Sequence, residues 1–342
     1  MFKLANNKSR EELLADIEQE DFQRTTLSFY RYVHITEPHA LRDKMYEKLE
    51  SLGCRGRIYL AHEGINAQMN VPTHNWDAFN EYIQSQAEFT GIPYKIAVEQ
   101  DNLSFLKLTI KVKEKIVADG ITDPTFESWT AGEYLSPKEF NELLDNPEAV
   151  VVDMRNAYEA EVGKFENAVV LDVDTFKEEL KIAEVALKGK ENTPIGLYCT
   201  GGIRCEKASA WLKHKGFKNV RHLRGGIIDY ARVVREEHLP NKFHGKNFVF
   251  DERLGERISN EIIATCHMCK NTKADTHYHC KNEACHILYI SCDTCLSVNK
   301  NYCGLYCRLY DKLPVTFKKA LVKNSYKKNQ PQFFKKNRMK AS

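Results

Sequence analysis

Residues 194–205 read PIGLYCTGGIRC, an apolar run that passes into a glycine-containing loop. The apolar run lacks the polar alternation of a half-exposed strand, which indicates a strand that is buried on both faces. The residues that follow, ASAWLKHKG, predict a helix that ends at Gly216. Cys199 therefore stands at the carboxyl end of a buried strand and just before a helix, where α/β sheets carry their functional groups.

The flanking residues continue this alternation of strands and helices. A capping box at Ser136–Glu139, with proline at the first helical position, predicts the start of a helix. The segments AVVVDM at 149–154 and NVRHL at 219–223 predict two more strands, and GGIIDYARVV predicts the last helix. Strands that alternate with helices imply an α/β domain with a parallel, doubly wound sheet over residues 133–240.

Residues 25–115 show a different order of elements. A strand is predicted at 26–33, followed by a helix from Pro38, two short strands (RIYLA and INAQMNV) and a helix from Trp76. Apolar residues then alternate with polar ones over 106–112, which predicts a half-buried strand that closes the series. Two helices that cross one antiparallel sheet in βαββαβ order indicate a ferredoxin-like α+β domain.

Composition sets the remaining boundaries and the class of protein. The 342 residues are 42% hydrophobic and 28% charged, which is typical of globular proteins and excludes collagen-like or wholly disordered chains. The predicted order is a leader at 1–24, the α+β domain at 25–115, a linker at 116–132, the α/β domain at 133–240, a cysteine-rich module at 241–310 and a basic tail at 311–342 that is predicted to be disordered.

Charge and hydropathy indicate the compartment and a partner. No stretch reaches the length of about 20 apolar residues that a membrane helix needs, and the N-terminus lacks the apolar core of a signal peptide. A cytoplasmic, reducing location is therefore expected. Residues 309–342 carry nine lysines and one arginine against one aspartate, a charge of +9, so the other 308 residues sum to −6. Such a tail favours a polyanionic partner.

The loop after the buried strand favours a reactive cysteine. Backbone N–H groups and the helix N-terminus should lower the pKa of Cys199, and Arg204 adds a positive charge that could lock the loop or hold an anion. The C-x4-R spacing is one residue tighter than the C-x5-R loop of cysteine phosphatases, which suits a small group on sulfur such as a persulfide. A buried, inert Cys199 is the alternative. Cys205 could resolve a persulfide or disulfide on Cys199, or simply pack at the helix start.

Eight of the 11 cysteines lie in a short C-terminal segment and form four closely spaced pairs. In a reducing compartment such pairs predict two structural zinc sites with four thiolates each, while disulfides are disfavoured. A cross-braced arrangement joins the first pair with the third and the second with the fourth; sequential pairing stays open. The cysteines are Cys266, Cys269, Cys280, Cys285, Cys292, Cys295, Cys303 and Cys307, and the histidines that could replace one are His267, His277, His279 and His286.

Two further segments could contact RNA. His62-Glu63 lies in a turn near Arg55, Arg57 and Asn66, and it could bind or position an RNA backbone or be a plain polar turn. The tail could bind phosphates through lysines and stack bases on aromatic rings, or remain a solvated tail. Its lysine pairs and aromatic residues are Lys318-Lys319, Lys327-Lys328, Lys335-Lys336, Phe317, Tyr326, Phe333 and Phe334.

Several motifs of the α/β domain are shared with a known family. Val151-Val152-Asp153-Met154-Arg155, the stretch 158–168 and Leu223-Arg224-Gly225-Gly226 accompany the cysteine loop, and together they resemble the rhodanese family. The resemblance implies that Cys199 bears a persulfide and that Asp153 and Arg155 form a structural ion pair. Thr200 stands where many sulfurtransferases have arginine, which weakens the case for thiosulfate as substrate. Cys205 is not part of the general rhodanese pattern.

A longer series of motifs is more specific. GCRGRIYLAHEGINAQM (53–69), YCTGGIRCEKASAWL (198–212), FDERLGERIS (250–259) and CHMCK (266–270) occur in this order. The chain thereby resembles the tRNA uridine(34) hydroxylase family, whose N-terminal domain is acylphosphatase-like. The resemblance implies an oxidoreductase that uses molecular oxygen to convert the wobble uridine of tRNA to 5-hydroxyuridine. The implied partner is the anticodon region of tRNA, and no flavin or nicotinamide fingerprint is visible.

Three functions fit these features of the sequence. The leading prediction is the tRNA hydroxylase, in which the sulfur of Cys199 could add to C6 of uracil and activate C5. The alternative is a sulfurtransferase that passes sulfane sulfur through a Cys199 persulfide. A third hypothesis, a zinc-bearing RNA or protein adaptor without catalysis, requires that Cys199 is idle. The predicted catalytic residues are Cys199, Arg204 and Cys205.

Overall fold

The computed structural model describes residues 6–128, 130–282, 285–310, 312–314 and 316–318. The described chain begins with helix α1 (Arg10–Glu18), and Ser9 and Glu12 cap its first turn reciprocally. Two domains and a cysteine-rich module follow. None of the helices in the described ranges combines the length and the apolar character needed to cross a bilayer.

The N-terminal domain consists of one five-stranded sheet with two helices on one face. Its elements are β1 (Arg24–Tyr32), α2 (Pro38–Ser51), β2 (Arg55–Ala61), β3 (Gly64–Pro72), α3 (Trp76–Ser85), β4 (Lys95–Ile96) and β5 (Leu108–Val112). The strand order is β4-β1-β3-β2-β5, and only β5 runs parallel to its neighbour. The predicted α+β fold is confirmed.

One detail of that prediction is wrong. The half-buried strand at 106–112 exists in part as β5, but it does not close the βαββαβ series. That place belongs to β4, which pairs antiparallel with β1, while β5 lies at the opposite edge beside β2. The two residues of β4 are too few to show any alternation of apolar and polar side chains, so the sequence pattern missed this strand.

The two faces of this sheet differ in polarity because side chains alternate along each strand. One face packs against α2 and α3 and holds the core, with Phe29, Ile58 and Met69 fully or almost fully buried. The opposite face carries the polar residues of β1, β2 and β3. It is turned toward the second domain.

The second domain is built around a five-stranded sheet in which all strands are parallel. Its elements are β6 (Glu133–Leu135), α4 (Pro137–Asp145), β7 (Val150–Asp153), α5 (Ala157–Ala160), β8 (Gly163–Phe165), β9 (Val169–Val170), α6 (Phe176–Ala186), β10 (Ile195–Tyr198), α7 (Ile203–His214), β11 (Val220–Leu223) and α8 (Gly226–Glu236). The order is β6-β11-β10-β7-β9, with β10 in the centre. The predicted parallel sheet is confirmed.

The C-terminal part of the chain extends the second domain before it forms the cysteine-rich module. Its elements are β12 (Phe243–Asn247), β13 (Glu256–Arg257), β14 (His277–His279), β15 (Leu288–Ile290), α9 (Asp293–Asn299) and α10 (Leu305–Tyr310). Strand β12 pairs with β8 and with β13, which ties this segment to the α/β domain. The short hairpin of β14 and β15 lies within the cysteine-rich module.

A buried ion pair network joins the two main domains. The ammonium of Lys207 on α7 contacts Glu63 at 2.7 Å and Asp119 at 2.7 Å, and the Lys207 side chain is almost completely buried. The Tyr32 hydroxyl of β1 also donates a hydrogen bond to the carbonyl of Ile203 at 3.2 Å. These contacts place the polar face of the N-terminal sheet over the start of α7.

Candidate active site

Cys199 directly follows β10, and the loop to α7 folds around its sulfur. The backbone N–H of Gly202 donates to the sulfur at 3.1 Å, with Gly202 at φ +95°, a conformation that favours glycine. Burial raises the pKa of Cys199, but the Cys205 thiol and the Arg204 charge oppose it. Together with the backbone N–H groups of Cys205 and Gly202 they lower the pKa to about 6. The lowered pKa expected from the sequence is thus present.

A second glycine turn supports the loop from the side. The backbone N–H of Ile227 donates to the Cys199 carbonyl at 3.0 Å, and the N–H of Ile228 donates to Thr200 at 3.2 Å. A Cβ atom on Gly226 would lie 2.5 Å from the Cys199 carbonyl oxygen and 2.8 Å from the Gly201 nitrogen. The start of α8 therefore approaches the loop so closely that only glycine fits.

Arg204 is fixed by a bidentate ion pair. Its two terminal nitrogens donate to the Glu159 carboxylate of α5 at 2.6 and 2.8 Å, and both side chains are buried. The two oxygens of Glu159 therefore satisfy this fork of the guanidinium. Of the two roles predicted for Arg204, the geometry favours locking the loop and stabilising the thiolate. Glu159 belongs to the stretch 158–168 of the rhodanese resemblance. Its pairing with Arg204 could not be predicted from the sequence, because the two residues lie on helices that are far apart in the chain.

Cys205 lies in the first turn of α7 with its thiol hydrogen-bonded to the sulfur of Cys199. Burial and the neighbouring Cys199 sulfur raise the pKa of Cys205 well above its usual range. The pair therefore holds one proton at neutral pH, on Cys205, while Cys199 is a thiolate. The two sulfurs are neighbours, as a resolving role for Cys205 would need, and the thiol also stabilises the thiolate directly.

Glu179 on α6 is a buried carboxyl group near the cysteine loop, and no sequence motif points to it. Both of its oxygens are buried and have no hydrogen-bond partner among the described residues. Burial raises the pKa of Glu179 well above its usual range; Arg204 opposes this shift, while Asp153 and Glu159 add to it. Burial thus favours the protonated, neutral form of the Glu179 carboxyl group beside Arg204. The residues FKEEL carry no signal of this role, because they read as part of an ordinary amphipathic helix.

Asp153 and Arg155 form the structural ion pair that the rhodanese resemblance implied. Two nitrogens of Arg155 donate to the Asp153 carboxylate at 2.9 and 2.7 Å, and both side chains are completely buried. The Tyr198 hydroxyl also donates to Asp153 at 2.7 Å, and Arg155 donates to the Gly163 carbonyl at 2.6 Å. This network fixes the end of β10 just before Cys199.

Lys95 brings the N-terminal domain to the cysteine loop. Its ammonium lies 4.4 Å from the centre of the Tyr30 ring, and the lysine is almost completely buried. Burial lowers the pKa of Lys95, while Asp229, Glu206 and the Cys199 thiolate act in the opposite direction. The sequence did not single out Lys95, because a lysine in a two-residue strand has no recognisable pattern.

A cavity of about 390 Å³ lies between the polar face of the N-terminal sheet, the cysteine loop and residues 249–256. Its volume is within the range of small-molecule sites. It adjoins a larger groove of about 1230 Å³ that reaches Cys280 in the cysteine-rich module. The polar residues that line the cavity include Ser28, Tyr30, Arg57, Tyr59, Asn66, Gln68, Lys95, Asn156, Thr200, Arg204, Asp251, Arg253 and Glu256, beside Cys199.

The two residues of the second predicted site, His62 and Glu63, have different surroundings in the structure. The two Glu63 oxygens accept from the Ile116 backbone N–H at 2.9 Å and from Lys207 at 2.7 Å, so this carboxylate joins the domains. His62 bonds to the Ile35 carbonyl at 2.9 Å and does not line the cavity. Its neighbours Arg57 and Asn66 do line the cavity.

The eight C-terminal cysteines are gathered into two sets of four. One set is Cys266, Cys269, Cys292 and Cys295, and the other is Cys280, Cys285, Cys303 and Cys307, with ligand atoms within 4.8 Å of one another. Of the two arrangements left open by the spacing, the structure has the cross-braced one. No histidine belongs to either set in the described ranges.

The cysteine geometry fits a tetrahedral metal ion. A zinc–sulfur distance of about 2.3 Å implies a separation of about 3.8 Å between sulfurs in a tetrahedron. In the second set, Cys285 and Cys303 are separated by 3.7 Å, and Cys303 and Cys307 by 3.6 Å. Each set could therefore hold one metal ion with no open coordination position.

The basic tail lies mostly outside the described residues. Of the residues predicted to contact RNA, Phe317 and Lys318 are described and Phe317 is exposed. The others, Lys319, Tyr326, Lys327, Lys328, Phe333, Phe334, Lys335 and Lys336, lie beyond the described ranges.

Comparison with known proteins covers the whole architecture. Residues 24–116 match the UPF0176 acylphosphatase like domain, residues 136–232 match the rhodanese-like domain, and residues 244–308 match the rhodanase C-terminal family. The three matches follow the observed order of the N-terminal sheet, the parallel sheet and the cysteine-rich module.

Full-length relatives carry one common name. A tRNA uridine(34) hydroxylase from Leptospira interrogans is 49% identical over 98% of this chain and 91% of its own length. Those from an Enterobacter species and from Escherichia coli K12 are each 50% identical, over 91% and 89% of this chain and 88% and 87% of theirs. The resemblance expected from the motifs is confirmed, and the chain belongs to the tRNA uridine(34) hydroxylase family.

Proposed function

We propose that this protein is a tRNA-modifying oxidoreductase that hydroxylates uridine 34 in the anticodon loop of tRNA to 5-hydroxyuridine. The observation that carries the proposal is the Cys199 thiolate at the wall of a cavity formed by all three parts of the chain. Such a cavity can enclose a base that has turned out of its stack, as enzymes acting on nucleobases require. The names of the full-length relatives supply the reaction.

Cys199 acts as the nucleophile in this proposal. Addition of its sulfur to C6 of uracil raises the electron density at C5, the carbon that receives the hydroxyl group. Arg204, held by Glu159, keeps the sulfur ionised before the attack. Elimination of the sulfur after oxidation restores the C5–C6 double bond and frees the thiolate.

The overall reaction uses O2 as co-substrate and needs two electrons. One oxygen atom replaces the hydrogen at C5, and the other leaves as water. Two thiols can supply these electrons by closing a disulfide, so that uridine, O2 and the dithiol give 5-hydroxyuridine, water and the disulfide. Cys199 and Cys205 are neighbouring thiols at the site, and an external dithiol would reduce them again.

The remainder of the tRNA would follow the larger groove toward the cysteine-rich module. Basic residues of several segments line this groove, among them Lys8, Arg10, Lys107 and Lys281. The basic tail, residues 311–342, supplies further charge for phosphates. The tRNA substrate fits activity in the cytoplasm.

The two cysteine sets are proposed to hold structural zinc. Four thiolates at tetrahedral separation suit zinc, and a closed four-cysteine site has no position for substrate. Zinc would stabilise a module with few apolar residues, since metal binding supplies folding free energy. In this role the module forms one wall of the groove and takes no chemical part in the reaction.

A sulfurtransferase is the second candidate function. The rhodanese-like match and the ionised Cys199 favour it, because the same loop can carry a persulfide. The two functions differ in product: a sulfurtransferase forms thiocyanate from thiosulfate and cyanide, and its loss would lower 2-thiolated nucleosides.

The deciding experiment combines the purified chain with tRNA, O2 and a dithiol, followed by nucleoside mass spectrometry. Wild type should form 5-hydroxyuridine at position 34, whereas Cys199→Ala should form none. Cys54→Ser is the matched control, because Cys54 is a buried cysteine of the N-terminal domain outside the cavity. Thiocyanate formation without any 5-hydroxyuridine would instead establish the sulfurtransferase.

A further inference from the structure

The polar face of the N-terminal sheet presents two ordered rows of side chains to the cavity. Residues that lie directly opposite each other on β1, β3 and β2 form the rows Ser28–Gln68–Arg57 and Tyr30–Asn66–Tyr59. All six line the same cavity as Cys199. This surface is therefore the floor on which a bound base would rest.

The members of the two rows differ in whether their polar groups are already engaged. Asn66 donates to the Ile116 carbonyl at 3.3 Å, and the Tyr30 hydroxyl is bonded to Glu206. By contrast, Gln68 and Arg57 form no side-chain hydrogen bond or ion pair with any residue in the described ranges. Gln68 is half-buried, and the two residues face each other across adjacent strands.

An amide beside a guanidinium matches one edge of uracil. That edge presents an N3–H donor between two carbonyl acceptors. The Gln68 oxygen can accept from N3–H, while Arg57, which has donors only, can donate to the adjacent carbonyl. Cytosine would turn its N3 acceptor toward the amide oxygen in either orientation, and with Arg57 at position 4 it would also turn its amino donor toward the guanidinium. Because Arg57 also attracts the oxygen end of the Gln68 amide, the pair favours uracil over cytosine.

We infer that Gln68 and Arg57 are the specificity-determining residues that bind the uracil edge of the nucleotide presented to Cys199. The inference deepens the proposed function and rests on it. It assigns the N-terminal domain a direct part in choosing the base. The second domain contributes the sulfur.

Binding measurements on the full chain test the inference apart from turnover. In a Cys199→Ala background, the affinity is measured by fluorescence anisotropy for three anticodon stem-loop RNAs that carry uridine, cytidine or an abasic residue at position 34. The parent should bind the uridine RNA most tightly. Gln68→Ala and Arg57→Ala should each weaken binding of the uridine RNA about tenfold, as expected for loss of a base-edge contact, and leave the abasic RNA unchanged.

Matched variants control for charge and composition. Arg42→Ala removes an arginine from α2, and Gln86→Ala removes a glutamine just after α3; neither residue lines the cavity. Both should bind the three RNAs as the parent does. Gln68→Glu keeps the shape of Gln68, but its carboxylate would pair with Arg57 and should also weaken binding of the uridine RNA. Unchanged melting temperatures show that the variants fold.

The outcomes separate this inference from the proposed function. Equal parent affinity for uridine and abasic RNA would overturn the inference, as would Gln68→Ala and Arg57→Ala behaving like the controls. Equal weakening of abasic RNA by Arg57→Ala would assign Arg57 to the backbone and overturn it too. In each case, 5-hydroxyuridine formation by the Cys199-containing protein would leave the proposed function standing. If the parent binds none of these RNAs and wild type forms no product, both fail.

Discussion

The thiols of Cys199 and Cys205 are neighbours, and their pKa values are shifted in opposite directions. The pKa of Cys199 falls to about 6, while that of Cys205 rises well above its usual range. Arg204 contributes to the first shift, and Glu159 prevents the guanidinium from turning away. The reactive state of the site is therefore set by contacts inside the loop and α5, before any substrate binds.

The first prediction concerns the pH dependence of Cys199. Because its pKa is lowered to about 6, the sulfur is ionised above that pH and gains a proton below it. The rate at which iodoacetamide alkylates Cys199, measured by mass spectrometry of its peptide, should fall as the pH is lowered. The midpoint of this fall should lie near pH 6. Turnover should fall over the same range. A midpoint at a pH of about 8.5, the pKa of an unperturbed cysteine, would contradict the geometry.

The second prediction separates the two roles of Cys205. Cys205→Ser keeps a hydroxyl donor to Cys199, so the alkylation midpoint should stay close to that of wild type, whereas Cys205→Ala should raise it. Neither variant can close the Cys199–Cys205 disulfide, so both should lose formation of 5-hydroxyuridine if the pair supplies the two electrons of each turnover. Full multiple turnover by Cys205→Ser would show that Cys205 acts only through its hydrogen bond.

The third prediction concerns the buried carboxyl group of Glu179, whose pKa is raised by burial. Since the folded pKa lies above the unfolded one, the folded state binds more protons, and stability falls as pH rises above the unfolded value of about 4.5. Each tenfold difference in proton affinity between the two states costs about 1.4 kcal/mol of stability once the unfolded group is fully ionised. Glu179→Gln removes the cost, so its melting temperature should exceed that of wild type at pH 7 and converge with it at acidic pH. Equal melting temperatures at pH 7 would contradict the assignment.

The sequence pattern predicted some residues of the candidate site and missed others. Cys199, Arg204 and Cys205 are separated by a few positions, so their spacing alone predicted a shared loop. Glu159 and Glu179 reach the same loop from two other helices, and contacts between distant segments leave no periodic signal. Arg57 and Asn66 were noted only as neighbours of His62, since strand register was needed to place them on the cavity floor.

At the scale of elements, the approach of α8 to the cysteine loop sets the shape of the site. Gly225 and Gly226 both adopt φ +67°, and two backbone N–H groups of α8 bond to loop carbonyls. The sequence predicted a strand that ends at Leu223 and a helix that begins with Gly225 and Gly226. It could not show that the turn packs against Cys199, because that contact joins two different strand–helix junctions.

The fourth prediction tests this packing with a matched pair of glycines. Gly226→Ala places a Cβ 2.5 Å from the Cys199 carbonyl oxygen, whereas a Cβ on Gly189, also at positive φ, would have no neighbouring atom within 4 Å. Both variants should incur a backbone cost of about 1 kcal/mol, but only Gly226→Ala should also displace the loop. The expected result is a lower melting temperature and a raised alkylation midpoint of Cys199 for Gly226→Ala, with only the small backbone cost for Gly189→Ala. Identical behaviour of the two variants would contradict the close contact.

Pattern strength explains which elements were predictable. Strands β7 and β10 are apolar runs, and α4 has a complete capping box, so all three were predicted. The strands β4, β8, β9 and β13 have only two or three residues each and depend on pairing partners elsewhere in the chain. No local pattern of that length distinguishes a strand from a loop.

At the scale of the whole molecule, the cavity exists only where three parts of the chain meet. The buried contacts of Lys207 with Glu63 and Asp119 hold the N-terminal sheet above α7. Arg253, next to the cavity, donates to the Glu99 carbonyl at 2.6 Å and so joins the C-terminal segment to the N-terminal domain. An isolated domain would therefore lack at least one wall of the site.

The fifth prediction concerns the cysteine-rich module, because the zinc content of cysteine variants tests its cross-braced arrangement. Purified protein should contain two zinc ions per chain, one for each four-cysteine set. Cys266 and Cys292 belong to the same set, so the double variant Cys266→Ser/Cys292→Ser should lose one zinc ion. Cys266 and Cys280 belong to different sets, so Cys266→Ser/Cys280→Ser should lose both. Elemental analysis by mass spectrometry measures the ratio, with Cys54→Ser as a control that keeps two. Sequential pairing predicts the opposite result for the two double variants. Loss of both ions from Cys266→Ser/Cys292→Ser and of one ion from Cys266→Ser/Cys280→Ser would therefore refute the cross-braced arrangement.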